Sequence, residues 1–221
     1  MQISWLGHAC FQITTHGSNG EAKVVIDPYK DIGLKLPRNL AADLVLKTHD
    51  HYDHAEVGAV APAAEGKQLV IAGPGEYESH GVMVYGIPAW HDNSGGKERG
   101  AVTMYVLESE GFTVAHLGDI GQKELTEQQL EQLGKVDVLM IPVGGVYTVD
   151  AAQAMGLIQQ IEPRVVIPMH YAVPGLTVKL DGVEKFLKAW GGKAPEPVEK
   201  WKIVKKDLPS EDMQLVVFQN P

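Results

Sequence analysis

Residues 48–54, with the sequence THDHYDH, place three imidazoles and two carboxylates in one seven-residue window. The window follows an apolar run at 43–47, so it is predicted to be the turn that ends a buried β-strand. Neutral imidazole binds borderline-soft divalent cations, while a carboxylate adds charge and can turn toward a neighbouring cation. Alternation along an extended segment predicts His49, His51 and Asp53 on one side, with Asp50 and Tyr52 on the other. Only nine histidines occur in 221 residues, so this spacing favours a pair of metal sites over a histidine-rich polar loop.

Three further metal-ligand candidates, His91, Asp119 and His170, each follow an apolar run at a predicted turn. Loops at neighbouring strand ends converge on the same edge of a fold, so these side chains are expected to meet the 48–54 window. Taken singly, each could be an ordinary loop or strand-end residue. Four segments with the same pattern favour one shared site.

Composition limits the classes of protein and partner. The chain shows no linker, repeat or charge block, so 1–221 is predicted to be a single domain. A formal charge of -9 argues against broad nucleic-acid binding, because phosphate backbones require a basic face. The single cysteine, the lack of a recognisable export signal and the lack of a long apolar run predict a cytoplasmic protein without membrane contact. A small-molecule substrate is expected, and a homo-oligomer is left open.

The elements that must position these residues change character along the chain. Short β-branched or aromatic runs predict strands at 3–6, 9–14, 22–26, 43–47, 68–72 and 82–87, with a short helix at 55–60. The second half predicts a hairpin of 101–108 and 112–117 and strands at 136–142, 164–169 and 214–218. A capping-box pattern at 126–129 opens one helix, Thr148 or Asp150 caps another that ends at 161, and 183–190 forms a third. The fold class predicted is α/β, a four-layer αββα sandwich with helices covering each outer sheet face.

The ordered motifs resemble those of the metallo-β-lactamase-fold hydrolases. The window 48–54 is followed by His91, Asp119 and His170, and Asp27 in VVIDP matches the first acidic motif of that superfamily. The segments WLGHACF (5–11), PVGGVYTVD (142–150) and PMHY (168–171) are similar to a small cytoplasmic branch of metal-dependent hydrolases that contains L-ascorbate 6-phosphate lactonase.

This resemblance implies a ligand set for two divalent metal ions. His49, His51 and His91 would bind one ion, Asp53, His54 and His170 the other, and Asp119 would bridge both. Zinc is expected for so nitrogen-rich a set, with manganese or iron as alternatives. The flavo-diiron branch has a carboxylate where this chain has His51, so an oxygen-reducing iron centre is not expected.

The activity implied is metal-dependent hydrolysis of a small ester, lactone or phosphoester by hydroxide held between the two metals. Asp53 is the expected catalytic proton acceptor, and Asp27 is expected to orient the histidine-rich loop. His8, Tyr147 and Tyr171 are expected substrate contacts, and Gly144 and Gly145 lead to a helix start that is a predicted anion site. A non-catalytic metal-containing protein that binds or senses a metabolite is the alternative, and a nucleic-acid phosphodiesterase is a third interpretation.

Overall fold

Two stacked β-sheets of six and seven strands form the centre of the computed structural model, which describes residues 1–17, 20–63 and 68–221. The strands are β1 (Gln2–Gly7), β2 (Cys10–Gly17), β3 (Gly20–Ile26), β4 (Ala41–Ala42), β5 (Leu44–Leu46), β6 (Ala61–Pro62), β7 (Leu69–Ile71), β8 (Gly75–Ser79), β9 (Val82–Trp90), β10 (Ala101–Ser109), β11 (Phe112–His116), β12 (Val138–Pro142), β13 (Val165–Met169), β14 (Trp201–Lys202) and β15 (Gln214–Leu215). The first sheet has the order β14-β1-β2-β3-β5-β7 and the second β15-β13-β12-β11-β10-β9-β8. The predicted stacked pair of sheets is confirmed.

Strand composition follows from where each strand lies. β12 and β13 pair in parallel, and every one of their residues is buried, as the continuous apolar runs predicted. β10 and β11 form the predicted antiparallel hairpin. The facing sides of both sheets contribute to one hydrophobic cluster, which includes Phe11, Val24, Tyr105 and Val114. The core therefore lies between the sheets.

Three α-helices belong to the second half of the chain: α1 (Glu127–Leu133), α2 (Ala151–Ile161) and α3 (Val183–Trp190). The predicted capping box is present at Thr126 and Gln129, and Asp150 rather than Thr148 caps α2. The apolar face of α2 is buried in the main cluster, so the helices cover the outer side of the second sheet.

A different layer covers the outer side of the first sheet. Cys10, Val25 and Val45 pack there against residues of the 29–42 segment, including Tyr29 and Ile32. The predicted helix at 55–60 is wrong, because only a 3-10 turn at Val57–Ala59 forms. The segment is too short for a stable α-helix, and it contains Gly58. Within the described residues this layer consists of a 3-10 turn, the short parallel pair β4–β6 and irregular chain. The expectation of helices on each outer face is therefore wrong for the first sheet, although the sandwich itself is confirmed.

The β8 strand was not predicted. Its sequence, GEYES, is polar, and none of its residues is fully buried, because it forms the edge of the second sheet. The last predicted strand, 214–218, is shortened to β15 with an isolated bridge at Phe218.

Strand direction explains why the candidate residues meet. β3, β5 and β7 are parallel to one another, as are β11, β12, β13 and β15. The carboxyl ends of parallel strands lie at a common edge, and ligands of α/β proteins bind outside that edge. No helix in the described parts of the chain is long and apolar enough to cross a membrane.

Candidate metal centre

All seven predicted ligands lie at loops that follow strands on one edge of the two sheets. The 48–54 window follows β5, His91 follows β9, Asp119 follows β11 and His170 follows β13. Two of the other predicted residues, His8 after β1 and Asp27 after β3, reach the same edge. Hydrogen bonds join the two sheets here, from Thr103 N to Thr48 O (2.9 Å) and from His170 N to His8 O (2.9 Å).

The 48–54 window is a turn rather than an extended segment. The His54 amide donates to the His51 carbonyl oxygen at 2.9 Å, which reverses the chain. The expectation that Asp53 shares a side with His49 and His51 is therefore wrong, because the turn directs Asp53 toward His8 and His54. Asp50 does point away, and its carboxylate pairs with Lys47.

Three imidazoles form a first group of candidate ligands: His49, His51 and His91. His49 Nε2 lies 2.9 Å from His51 Nδ1. The ring centroid of His91 lies 4.9 Å from that of His49 and 5.0 Å from that of His51. This group is the one that the motif resemblance implies for the first metal.

Asp119 lies between the first group and a second one. Its Oδ2 atom is 3.0 Å from His170 Nε2, 3.2 Å from His54 Nε2 and 3.6 Å from His91 Nε2. The second group of candidate ligands joins His54 and His170 to His8, whereas the resemblance implied Asp53 as their partner. A carboxylate between two imidazole groups is the arrangement expected of a bridging ligand.

Asp53 and His8 form a pair beside the second group. Their Oδ2 and Nε2 atoms are 3.1 Å apart, and Asp53 Oδ2 is 3.8 Å from His54 Nε2. His8 is completely buried, with a positive φ of 55°. The expectation that His8 contacts substrate is therefore corrected: its side chain lies behind Asp53.

Asp27 holds the histidine-rich turn in place, as predicted for it. Its carboxylate accepts hydrogen bonds from Thr48 N at 2.8 Å and Thr48 Oγ1 at 2.7 Å. The same carboxylate lies 3.0 Å from His54 Nδ1. That contact fixes the ring and leaves His54 Nε2 directed toward Asp119.

The pKa values of several site residues are shifted toward the ionisation states that bind metal cations. Burial lowers the pKa of His49 to about 3 and that of His8 to about 4, with further lowering from the neighbouring imidazoles of His54 and His170. Burial alone would raise the pKa of Asp119, but His170 and His54 hold it well below its usual range. Neutral imidazoles and an ionised carboxylate are the forms that bind metal. His54 differs, because burial alone would lower its pKa but Asp119 and Asp27 raise it well above its usual range, so a cation would have to displace its proton.

The residues present fit a pair of metal ions. Five buried atoms on these side chains have no hydrogen-bond partner within the described chain: His8 Nδ1, His54 Nε2, His91 Nδ1, Asp119 Oδ1 and His170 Nδ1. Such unpaired polar atoms each cost about 1–3 kcal/mol. Cations coordinated by this nitrogen-rich and carboxylate-containing set would offset part of that cost.

A pocket of about 400 Å³ opens onto this centre and has a size suited to a small molecule. Candidate ligands His51, Asp53, His91, Asp119 and His170 line it, as does the predicted contact Tyr147. Tyr52, Arg99 and Lys179 also line it and were not predicted as site residues. Arg99 and Lys179 lie in loops close to ligand residues in sequence, which is the one signal that could have identified them.

Two expectations about the pocket are corrected. Tyr171 is 2% exposed and packs against Trp5 with 5.0 Å between ring centroids, so it belongs to the core rather than the pocket wall. The start of α2 offers no free anion site, because the Asp150 carboxylate already accepts from Ala152 N and Gln153 N. Gly144 has a different role: a Cβ there would lie 2.1 Å from the His170 carbonyl oxygen.

Two sheets stacked around a core, with histidines and aspartates gathered at one edge, define the metallo-β-lactamase class of fold. The family described as Beta-lactamase superfamily domain matches residues 2–170, and the chain belongs to that family. A UPF0173 metal-dependent hydrolase of Thermococcus onnurineus is 32% identical over 194 residues, which cover 77% of this chain and 84% of the relative. One from Pyrococcus abyssi is 29% identical over 97% of this chain and 100% of the relative.

A solved structure extends the similarity to the whole fold. The Thermotoga maritima protein, described as a candidate Zn-dependent hydrolase of the metallo-β-lactamase superfamily, is 32% identical with a TM-score of 0.76. The alignment covers 99% of this chain and 98% of that one. The predicted fold and the predicted class, a metal-dependent hydrolase of this superfamily, are confirmed. The narrower relation to the L-ascorbate 6-phosphate lactonase branch stays a prediction.

Proposed function

We propose that this metal-dependent hydrolase uses two divalent cations, zinc first among the alternatives, to cleave a small ester, lactone or phosphoester in the cytoplasm. The observation that supports this most strongly is Asp119, whose carboxylate faces imidazoles of both candidate ligand groups within 3.6 Å. When bound, the cations would supply a water of lowered pKa and an electrophilic site for a substrate oxygen.

The chain's own residues would orient and deprotonate that water. Asp53 lines the pocket. Its Oδ2 atom lies 3.1 Å from Nε2 of His8, which does not line the pocket. Burial alone would raise the pKa of Asp53, but His8 and His54 lower it, so the carboxylate stays ionised at neutral pH. An ionised carboxylate accepts a hydrogen bond from water, and as a weak base it passes on a proton that it receives. The pocket of about 400 Å³ supports a small-molecule substrate.

Elemental analysis combined with turnover tests this function. Purified protein should contain close to two metal ions per chain, and chelation should abolish hydrolysis of a panel of esters, lactones and phosphoesters. Readdition of zinc or manganese should restore it. Bound metal without turnover of any substrate in the panel would instead favour a protein that binds or senses a metabolite.

A further inference from the structure

Two cationic side chains at the pocket have no charged partner. Arg99 and Lys179 both line the cavity that opens onto the candidate metal centre. In the described parts of the chain neither has a carboxylate within 4.0 Å, which is also true of most other lysines and arginines, so their shared position at this cavity is what distinguishes them. The protein carries a formal charge of -9, so two unpaired cations in one small cavity are not explained by a generally basic surface.

The backbone that carries Arg99 is fixed by a single carboxylate. Asp92 accepts hydrogen bonds from the amides of Ser94, Gly96, Glu98 and Arg99 at 2.7–3.0 Å. These bonds close the loop between His91 and β10 into one conformation. The neighbouring Glu98 carboxylate accepts instead from the Ser94 hydroxyl at 2.7 Å, so it is engaged within the loop. The backbone at Arg99 is thus held in place by hydrogen bonds to Asp92, which positions the Arg99 side chain at the pocket.

The Arg99 guanidinium packs against the ring of Tyr147. The guanidinium carbon lies 5.0 Å from the Tyr147 ring centroid, within the range of a cation–π contact. Tyr147 is itself held by a three-residue turn in which its amide donates to Gly145 O at 2.7 Å, with Val146 at a φ of 62°. A β-branched residue with positive φ in such a turn is strained, and strain of this kind collects at binding sites.

Lys179 comes from a second anchored loop. The Ala172 amide donates to Asp181 O at 2.9 Å, and the Asp181 amide donates to Gly144 O at 2.8 Å. Midway, the Thr177 amide donates to Ile32 O at 2.8 Å. These three bonds tie the loop to itself, to the glycine beside His170 and to the layer outside the first sheet. Two loops that are distant in sequence therefore present one cation each to the same cavity.

We propose that Arg99 and Lys179 form an anion-binding subsite, and that the hydrolysed substrate is a small molecule carrying a phosphate or carboxylate group apart from the bond that is cleaved. This inference rests on the proposed function. Arg99 offers a planar fork of N–H donors that matches either oxyanion, and Lys179 adds a point charge. The Tyr147 ring restricts the rotamers of Arg99, so less conformational freedom is lost when the anion binds.

A small anion fits these features better than a nucleic acid does. Polynucleotide binding relies on cationic contacts with several phosphates along an extended face. Here two cations serve one cavity of about 400 Å³ on an acidic protein. An open pocket of this volume suits a single metabolite with one charged group.

The test compares two esters with the same leaving group, 4-nitrophenyl butyrate and 4-nitrophenyl monosuccinate, of which only the second carries a carboxylate. In wild-type protein loaded with zinc, kcat/KM should be higher for the monosuccinate. The Arg99→Met and Lys179→Met variants should each reduce the ratio of the two kcat/KM values by about 10-fold. Lys97→Met is the matched control, because Lys97 is an exposed residue of the same loop that does not line the pocket. It should leave the ratio unchanged.

Calorimetric titration with inorganic phosphate gives a readout that does not depend on turnover. Both variants should bind phosphate about 10-fold more weakly than wild type, and Lys97→Met should not. If weaker binding appears but no ester is cleaved, the subsite stands and the proposed hydrolysis fails. Equal phosphate affinity and an equal ester ratio in all four proteins would overturn the subsite. Tighter binding of a single-stranded RNA than of phosphate, lost in the same variants, would overturn the small-molecule class.

Discussion

At the residue scale, Asp53 and Asp50 both belong to the 48–54 turn, but their carboxylates have different surroundings. Asp53 lines the pocket and contacts His8, whereas the Asp50 carboxylate is exposed and pairs with Lys47. We expect Asp53→Asn to lower kcat/KM at saturating metal by about 100-fold or more, since it removes the acceptor for the proton of the attacking water. Asp50→Asn is the control and should retain activity. Near-wild-type turnover by Asp53→Asn with full metal content would refute the role assigned to Asp53.

Asp27 acts through its neighbours, so its effect should appear in metal affinity. Its carboxylate fixes Thr48 and the His54 ring, and an amide would replace one of the acceptor oxygens by a donor. We expect Asp27→Asn to weaken metal binding by about 10- to 100-fold, measured by competition with a chromogenic chelator. Asp43→Asn is a suitable control, because Asp43 accepts from Lys23 N at the opposite end of β5. An unchanged affinity in Asp27→Asn would show that the His54 ring is oriented without this contact.

The meeting of the seven predicted ligands at one edge could be predicted from sequence, because each of their four segments follows an apolar run that ends at a turn, and strand ends converge. The position of His8 could not, since it depends on a positive φ and on burial between three other imidazole and carboxylate groups. Arg99 was missed for a similar reason. Its loop conformation depends on four amides folding around Asp92, which no local pattern in the sequence indicates.

At the scale of elements, the buried strands and the capped helices could be predicted from the sequence. The parallel strands β12 and β13 and the capped helices α1 and α2 have local signals that agree with their tertiary positions. The β8 strand lacks such a signal because an edge strand is stabilised by pairing with β9 rather than by its own apolar residues. The 55–60 segment shows the opposite error, since a weak helical pattern that is short and contains Gly58 forms only a 3-10 turn.

Glu110, at the turn between β10 and β11, fastens that hairpin to the first sheet. Its carboxylate accepts from Thr15 Oγ1 at 2.7 Å, from His16 N at 2.8 Å and from the Met1 amino group at 2.9 Å. Burial alone would raise the pKa of Glu110, but these bonds lower it below the ordinary value of 4.5. Because the folded-state pKa is depressed, the stabilisation is complete above the unfolded-state pKa and is lost as pH falls through the folded-state pKa.

Glu110→Gln should therefore be less stable than wild type at pH 7, by about 1 kcal/mol or a Tm lower by about 2–4 °C. The difference should narrow as the pH falls below about 4. Thermal melts of both proteins from pH 7 to pH 3 provide the measurement, with the exposed Glu108→Gln on the same hairpin as control. A constant Tm difference across this range would contradict an ionised Glu110 as the source of the stabilisation.

At the scale of the whole molecule, the candidate metal centre is also a junction between the sheets. The first sheet supplies His49, His51, Asp53 and His54, and the second supplies His91, Asp119 and His170. Asp119 Oδ2 lies within 3.6 Å of three imidazoles, and in the described chain one nitrogen of each of these rings has no hydrogen-bond partner. Cations bound by both groups would cross-link the two sheets, in addition to the hydrogen bonds that join Thr103 to Thr48 and Tyr105 to Lys47.

Metal binding should therefore stabilise the entire fold and not only the loops around the site. A ligand that binds only the folded state at 100 times its Kd contributes about 2.7 kcal/mol, which for a chain of this size raises Tm by about 5–10 °C. Melts of chelator-treated protein with increasing zinc provide the measurement. Asp119→Asn should lose most of this rise, because Asp119 is the residue that faces imidazoles from both sheets. A rise that survives in Asp119→Asn would mean that the two imidazole groups, each of which includes residues from both sheets, hold the cations without this carboxylate. An identical Tm with and without zinc in wild type would show that metal binding does not stabilise the fold.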